Sequence, residues 1–318
     1  MQMIAGEALE VLKTFPDACC DMCVTSPPYY GLRNYGADGQ LGLEESPEKY
    51  IERITEIFRE VRRVLTDTGT LWLNLGDSYF PHNGTRGNKT PAGDTLRGRE
   101  NGYQPSPKMT TALPVGAKEL IGIPWRVAFA LQEDGWMLRQ DIIWHKPNPM
   151  PESVTDRCTR AHEYIFLFTK KPHYFFNQDA IREPLSERRA KQAGQLVEPG
   201  NNAASRKEVI DHDRERGSGG HFDGHKWRMN PKGKNKRDVW TISTQGVKGA
   251  HFAVFPDKLA QLCILAGSRP GDTVLDPFSG SGTTGVVALQ ESRNYIGIEI
   301  NPAYCAMSEQ RIRKAAKE

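Results

Sequence analysis

Asp276-Pro277-Phe278-Ser279-Gly280-Ser281-Gly282-Thr283-Thr284 is the stretch on which the fold turns. It is entered from Thr273-Val274-Leu275, an apolar run that reads as a short buried strand ending in a carboxylate. A glycine-rich turn follows, and then a helix through residue 291. Glycines let a backbone approach a ligand closely, and the start of a helix offers N–H groups with no partner inside the helix. Tyr295-Ile296-Gly297-Ile298-Glu299 reads as the next strand. A carboxylate at its end is placed to accept both hydrogen bonds of a ribose diol. The pattern is that of a nucleotide-type site. Gly280, Gly282 and Gly285 also satisfy GxGxxG, with Glu299 19 residues beyond Gly280, so a nicotinamide dehydrogenase competes. Nothing else in the chain resembles the hydride-transfer site such an enzyme needs. A Walker A loop is excluded because no Lys follows the glycines.

Working outward, the flanking segments keep the same rhythm. Pro256 starts a helix carrying Leu259, Leu262, Cys263 and Leu265, and a last helix is expected from about 302 to 314. In the N-terminal half, 8–14 reads as a short helix and Met22-Cys23-Val24 as a strand. A well-marked helix follows, with Ser46 as its cap, Pro47 at its first position and apolar residues at Tyr50, Ile51, Ile54, Ile57, Phe58, Val61, Val64 and Leu65. Thr66-Asp67-Thr68-Gly69 ends it, and 70–75 is a strand. A helix over 124–133 and strands over 137–144 and 163–169 follow. Strands alternating with helices predict an α/β fold with a mostly parallel, doubly wound sheet. Residues 76–118 are rich in Gly, Pro, Thr and Asn and read as a long loop, functional or mobile.

Thr25-Ser26-Pro27-Pro28-Tyr29-Tyr30 is the second stretch of interest. Two prolines stop the preceding strand, because neither donates a ladder hydrogen bond. Side chains, carbonyls and an aromatic ring are then presented at a strand's carboxyl end, where open α/β sheets bind ligands. By itself the stretch reads equally well as a Pro-Pro turn. A glycine-rich loop with Arg33 and Tyr35 comes after it.

Composition narrows the class. The chain has 318 residues, 38% apolar and 25% charged, as in soluble globular proteins. It has no apolar run approaching a membrane span, and its first residues lack the pattern of a secretory signal. Six cysteines are too few for a disulfide framework, and a reducing, cytoplasmic location is expected. Cys20 and Cys23 form a CxxC without a second pair, so no metal site is expected, and both read as core thiols. The net charge of +3 is uneven: residues 182–237 carry 14 Lys and Arg against 8 Asp and Glu, leaving the remainder slightly acidic. A basic segment on an acidic body suggests a polyanionic partner. Within it, Lys232, Lys234, Lys236 and Arg237 form a dense run. The expected organisation is a first half over 1–176, a loop-rich insert over 177–238 and a last part over 239–318.

Taken together, 25–30 and 276–284 resemble the S-adenosylmethionine-dependent DNA amino-methyltransferases, which modify the exocyclic nitrogen of cytosine or adenine. That family carries [DNS]-Pro-Pro-[Tyr/Phe/Trp] as its catalytic motif and Phe-x-Gly-x-Gly in its cofactor motif. The order here, with the catalytic motif first and a basic segment between, is similar to the family's beta group. Further matches are Gly6-Glu7, Arg62-Arg63-Val64-Leu65, Trp144 with Lys146 and Asn148, and His251-Phe252-Ala253-Val254-Phe255-Pro256. The resemblance implies a Rossmann-like methyltransferase fold with permuted motif order.

It also implies roles for residues. Ser26, Pro27, Pro28 and Tyr29 would be catalytic. The cofactor would be held by Thr25, by Asp276, Pro277, Phe278, Ser279, Gly280, Ser281, Gly282, Thr283 and Thr284, by Glu299 and Asn301, and by His251, Phe252 and Phe255. Many relatives have Gly-Asp where this chain has Gly6-Glu7, so a contact of Glu7 with the adenine amino group is in question. Arg33 and Tyr35 would close over a base flipped out of double-stranded DNA, and the basic run 232–237 would meet phosphates. Ser26 at the first motif position resembles the N4-cytosine enzymes; adenine-N6 enzymes more often carry Asp or Asn there. A protein-glutamine or RNA-amine methylase and a DNA-binding protein with a dead methylase fold are the other readings. The intact Ser26, Pro27, Pro28, Phe278, Gly280, Gly282 and Glu299 argue against the last. A cognate endonuclease is not readable from the sequence.

Overall fold

A computed structural model of the chain describes residues 1–80, 111–186, 230, 232–246 and 255–316, together with the backbone of 196–197 and 227–228. In chain order the elements are β1 (Gln2–Ala5), α1 (Ala8–Lys13), β2 (Cys20–Thr25), α2 (Pro47–Val64), β3 (Leu65–Leu75), α3 (Ile123–Glu133), β4 (Met137–His145), β5 (His162–Thr169), β6 (Leu196–Val197), β7 (Trp227–Arg228), β8 (Val239–Thr241), α4 (Asp257–Gly267), β9 (Thr273–Asp276), α5 (Thr283–Gln290), β10 (Asn294–Glu299) and α6 (Pro302–Ala315).

Eight strands form one sheet in the order β1-β10-β9-β2-β3-β5-β4-β8. Seven run parallel, and β5 alone is antiparallel to its neighbours β3 and β4. Strand alternation explains why both faces carry helices. Cys23, Leu71, Leu73, Leu275 and Ile298 pack on one face with apolar residues of α1, α2 and α3. Met22 and Trp72, one residue out of step, point the other way and meet α4. A Cβ at Gly267 of α4 would lie 2.8 Å from Met22 Cε and 2.6 Å from Trp72 Nε1. This is the mostly parallel, doubly wound architecture that the alternation of elements predicts.

Local chemistry sets the boundaries. Ser46 Oγ accepts a hydrogen bond from the Lys49 amide at 3.3 Å, capping α2, and Tyr50, Ile54, Ile57, Phe58, Val61 and Val64 form its buried stripe. In one respect the strand pattern differs from expectation. β3 starts at Leu65, directly after α2, and the turn expected at 66–69 is a bulge within it. Cys20 pairs with Leu65 but Met22 with Thr70, so the extra residues loop out of the ladder. Gly69 permits this, since a Cβ there would sit 2.9 Å from the Asp21 carbonyl oxygen. Cys20 and Cys23 are fully buried, and burial pushes both thiols up.

The described residues divide into two compact units: Met1–Asn177 with Asp238–Glu318, and Gln178–Arg237. The second contains the short β6–β7 ladder and the antiparallel bridge between Glu183 and Lys234. Of the long segment 76–118, residues 81–110 lie outside the described residues. Its described ends are pinned: Tyr79 bridges to Leu120, and the Glu48 carboxylate accepts from the amides of Ala112 and Leu113. Among the described residues no helix is long and apolar enough to cross a membrane.

Candidate active site

Parallel strands bring their carboxyl ends to one edge of the sheet. Thr25 of β2, Asp276 of β9 and Glu299 of β10 therefore end side by side, while the reversed β5 begins at the same edge with His162 and Glu163. The two halves of the site are tied directly. Thr25 Oγ1 donates to Asp276 Oδ1 at 2.6 Å, and that oxygen also accepts from the Phe278 amide at 3.1 Å. Thr284 adds a further hydrogen bond to the same carboxyl. Burial nonetheless holds the Asp276 carboxyl above its ordinary range, because desolvation outweighs these bonds.

The glycine turn has one side for packing and one for a ligand. Gly282 (φ +80°) lies against α6, where a Cβ would come within 2.2 Å of Ser308 Oγ. Gly285 is crowded in the same way by Ile312 and Tyr295. Gly280 (φ +52°) is different: the nearest atom to a Cβ placed there would be the Phe278 carbonyl oxygen, at 3.9 Å. Its amide donates to Glu299 Oε2 at 2.8 Å, and the Asn301 amide donates to Oε1 at 2.9 Å. Burial raises the Glu299 carboxyl. Ser279 is buried and faces the interior, bonding Tyr295 Oη at 2.8 Å. Pro277 is buried, and the Ser281 carbonyl accepts from Arg311. Thr283, the first residue of α5, is 3% exposed, and its hydroxyl has no hydrogen-bond partner among the described residues. An open glycine, a helix start with an unsatisfied buried hydroxyl and a strand-end carboxylate make a donor and acceptor set that fits the polar groups of a nucleoside cofactor carrying an amino acid.

Around the Ser-Pro-Pro-Tyr motif, polar groups form a continuous chain. Ser26 Oγ donates to Tyr29 Oη at 3.3 Å, and Tyr29 Oη donates to Glu163 Oε2 at 2.7 Å. Asn74 of β3 donates through Nδ2 to Glu163 Oε2 at 3.2 Å, and its Oδ1 is a second, longer acceptor for the Tyr29 hydroxyl, at 3.1 Å. Lys146, just beyond β4, pairs with the other Glu163 oxygen and lies 4.5 Å from the centre of the Trp144 ring. Burial and the Glu163 charge push the Tyr29 phenol well up. The Tyr29 ring covers Gly76, where a Cβ would be 2.5 Å from it. The Pro28 carbonyl accepts from Tyr50 Oη at 3.0 Å, and Tyr30 is a core residue. The sequence singles out neither Asn74 nor Glu163, and it names Lys146 only as a family match without a role. The signal it offers is a polar residue within or just beyond an otherwise apolar strand.

The loop after the motif lies nearer the end of β10 and the start of α6 than expected. The Gly31 amide closes it onto the Gly42 carbonyl at 2.9 Å, and Gln40 braces it from within. Asn301 Nδ2 donates to the Tyr35 carbonyl at 3.2 Å. The Tyr35 phenol is raised by burial and feels Arg33, Tyr304 and Glu299. Arg33 and Tyr35 are thus grouped with Glu299 and Asn301. Glu7 caps α1 by accepting from the Glu10 amide at 3.0 Å and lies 3.6 Å from Arg53, so its carboxylate is engaged locally. Phe255 is half-buried just before α4, and His251 and Phe252 lie outside the described residues. In the second unit, Lys232 pairs with Asp179 at 2.6 Å, while Lys234, Lys236 and Arg237 surround Glu183 at 3.9, 3.4 and 2.9 Å.

Comparison with known proteins shows the family and the fold. A family model described as DNA methylase, for N6 and N4 methyltransferases, matches residues 20–310. The type II methyltransferase M.SmaI of Serratia marcescens is 44% identical over 313 residues, covering 98% of this chain and 90% of that protein. M.Cfr9I of Citrobacter freundii is 44% identical over 310 residues, covering 98% and 87%. Among solved structures, PvuII DNA methyltransferase (cytosine-N4-specific) superposes with a TM-score of 0.60 at 20% identity, covering 99% of this chain and 90% of that one. A DNA modification methylase of Thermus thermophilus, complexed with S-adenosyl-L-methionine, gives 0.58 at 24% identity, covering 99% and 94%. At these identities the two structures support the fold. The family uses S-adenosylmethionine as its cofactor.

Proposed function

The chain belongs to the N6/N4 family of DNA methylases, and on that premise we propose that it methylates the exocyclic N4 of a cytosine flipped out of double-stranded DNA. The observation that carries this reading is the latch between Thr25 and Asp276, which fixes the Ser-Pro-Pro-Tyr motif beside the glycine turn. Gly280, Thr283 and Glu299 would hold the cofactor, with Phe278, Asn301 and the 251–255 segment completing its surroundings. When bound, S-adenosylmethionine supplies an activated methyl group.

The protein's own contribution is to make a poor nucleophile attack. The lone pair of an exocyclic amine is delocalised into the ring. Ser26 Oγ, whose hydrogen is directed at Tyr29, has its lone pairs available for one N–H of the amine. The Pro27 carbonyl accepts the other. Together they draw the nitrogen towards tetrahedral geometry and stabilise the positive charge that develops on it. Tyr29 offers its ring to the base, and positioning accounts for the rest of the rate. Flipping the base costs about a few kcal/mol, offset by phosphate contacts from Lys232, Lys234, Lys236 and Arg237, which outnumber the two carboxylates they share. Arg33 and Tyr35, beside Glu299, close the site on the cofactor side.

A serine at the first motif position favours cytosine over adenine. The test is incubation of the protein with mixed-sequence duplex DNA and labelled cofactor, followed by mass analysis of the nucleosides. N4-methylcytosine is the expected product, and N6-methyladenine alone would overturn the choice of base.

A further inference from the structure

Methyl transfer leaves the amine nitrogen with one proton too many, and we infer that Ser26, Tyr29 and Glu163 form the path by which this proton leaves. The inference rests on the proposed function, in which Ser26 receives the amine. Every hydrogen bond of the path points the same way. Ser26 Oγ donates to Tyr29 Oη at 3.3 Å, and Tyr29 Oη donates to Glu163 Oε2 at 2.7 Å. When the nitrogen gives its proton to Ser26 Oγ, the Ser26 hydrogen passes to Tyr29 and the Tyr29 hydrogen to Glu163. One N–H and two O–H bonds break, and three O–H bonds form. The amine and both hydroxyls end neutral, and Glu163 becomes a carboxylic acid. No oxidant, reductant or metal is involved.

The surroundings of Glu163 suit a terminal acceptor. Its second oxygen is paired with Lys146, and Asn74 Nδ2 fixes the first oxygen from β3. Its side chain is 14% exposed, which leaves a way to return the proton to solvent. Tyr29 is a relay rather than a store: its high phenol pKa means it passes a proton only as it receives another. The charged and titratable groups around Glu163 are His145 of β4 and Lys146 just beyond it, Tyr29 from the motif, and its own neighbours His162 and Arg160. His162 is held below its ordinary range by burial and by Arg160, so it is a poor competitor as base.

Single-turnover methyl transfer in the preformed complex of enzyme, cofactor and DNA, measured beside the Kd values for DNA and cofactor, tests the path. Tyr29→Phe keeps the ring but removes the relay, and Glu163→Gln keeps an acceptor for the Tyr29 hydrogen but cannot take the proton. Each variant is expected to slow transfer by about 100-fold, with the Kd values for DNA and cofactor within about twofold. The double variant should be no slower than the slower single one, since both block one route. A Tyr29→Phe or Glu163→Gln rate within about twofold of wild type, or a double variant slowed by the product of the two single effects, would overturn the path. Tyr29→Phe leaves the Lys146–Glu163 ion pair intact, so it stands even if Glu163→Gln folds poorly. Full activity of Ser26→Ala would defeat the proposed site itself, an outcome distinct from failure of the path.

Discussion

Gly280 and Gly282 stand two residues apart in one turn, both at positive φ, yet for different reasons. A side chain at 282 would be forced into α6, 2.2 Å from Ser308 Oγ, whereas at 280 it would enter open space. Gly282→Ala is expected to cost about 2–5 kcal/mol, combining αL strain with overpacking, and to lower Tm. Adding Ser308→Gly should recover the packing part only. Gly280→Ala should cost about 1–2 kcal/mol of stability and act mainly on cofactor affinity, read by titration calorimetry. Equal losses of Tm at the two positions would contradict this division. Asp276 gives a prediction in pH. Burial raises its folded-state pKa above the ordinary 3.8, so its stabilising contribution is present below that value and is lost as pH rises through the folded pKa. Asp276→Asn keeps an oxygen for Thr25 and Phe278 but cannot ionise. In urea melts at about pH 4 and about pH 8, the variant should gain relative to wild type at the higher pH. A gain confined to the lower pH would reverse the sign and the cause.

Elements decide what the residues can reach, and here the sequence was unevenly legible. The turn at 276–284 and the motif at 25–30 were readable because their chemistry is local: a strand, a stop and a helix start lie within ten residues of one another. Their adjacency was readable only through the parallel order of β2, β9 and β10. The role of Glu163 was not. It depends on β5 running against its neighbours, which brings a residue 134 positions from Tyr29 to the carboxyl edge. The placement of Tyr35 beside Asn301, 266 positions away, is of the same kind. No periodicity in either segment encodes such a pairing. The β2–β9 latch can be tested at this scale. Thr25→Val removes the 2.6 Å hydrogen bond while keeping the shape of the side chain, and should cost about 1–3 kcal/mol. Amide exchange should accelerate over 25–30 and 276–280 and remain unchanged in α3. Uniform acceleration across the sheet would mean that the bond supports the whole fold and not the junction of the two motifs.

The molecule as a whole separates its charge. The unit Gln178–Arg237 contains the whole of the basic 182–237 segment, while the other unit, Met1–Asn177 with Asp238–Glu318, is slightly acidic. Within the basic unit, Glu183 collects Lys234, Lys236 and Arg237, and Asp179 collects Lys232 and Arg182. Five cations on two carboxylates leave an excess of positive charge whose spacing is set by those two acids. Most of the cations are substantially exposed, so each internal pair contributes little to stability and can be exchanged for phosphate at small cost. DNA affinity should therefore depend steeply on salt. Replacing Lys232, Lys234, Lys236 and Arg237 together by Ala is expected to reduce the slope of log K against log salt by about 0.9 for each phosphate no longer neutralised, up to about 3–4 in all. Cofactor affinity should not change, because every residue nominated for the cofactor lies in the other unit. The slope is the decisive quantity. A misfolded unit would weaken binding by lowering the competent fraction equally at all salt concentrations, whereas removing cations that meet phosphates changes the dependence itself. An unchanged slope with unchanged affinity would move the DNA surface away from residues 232–237.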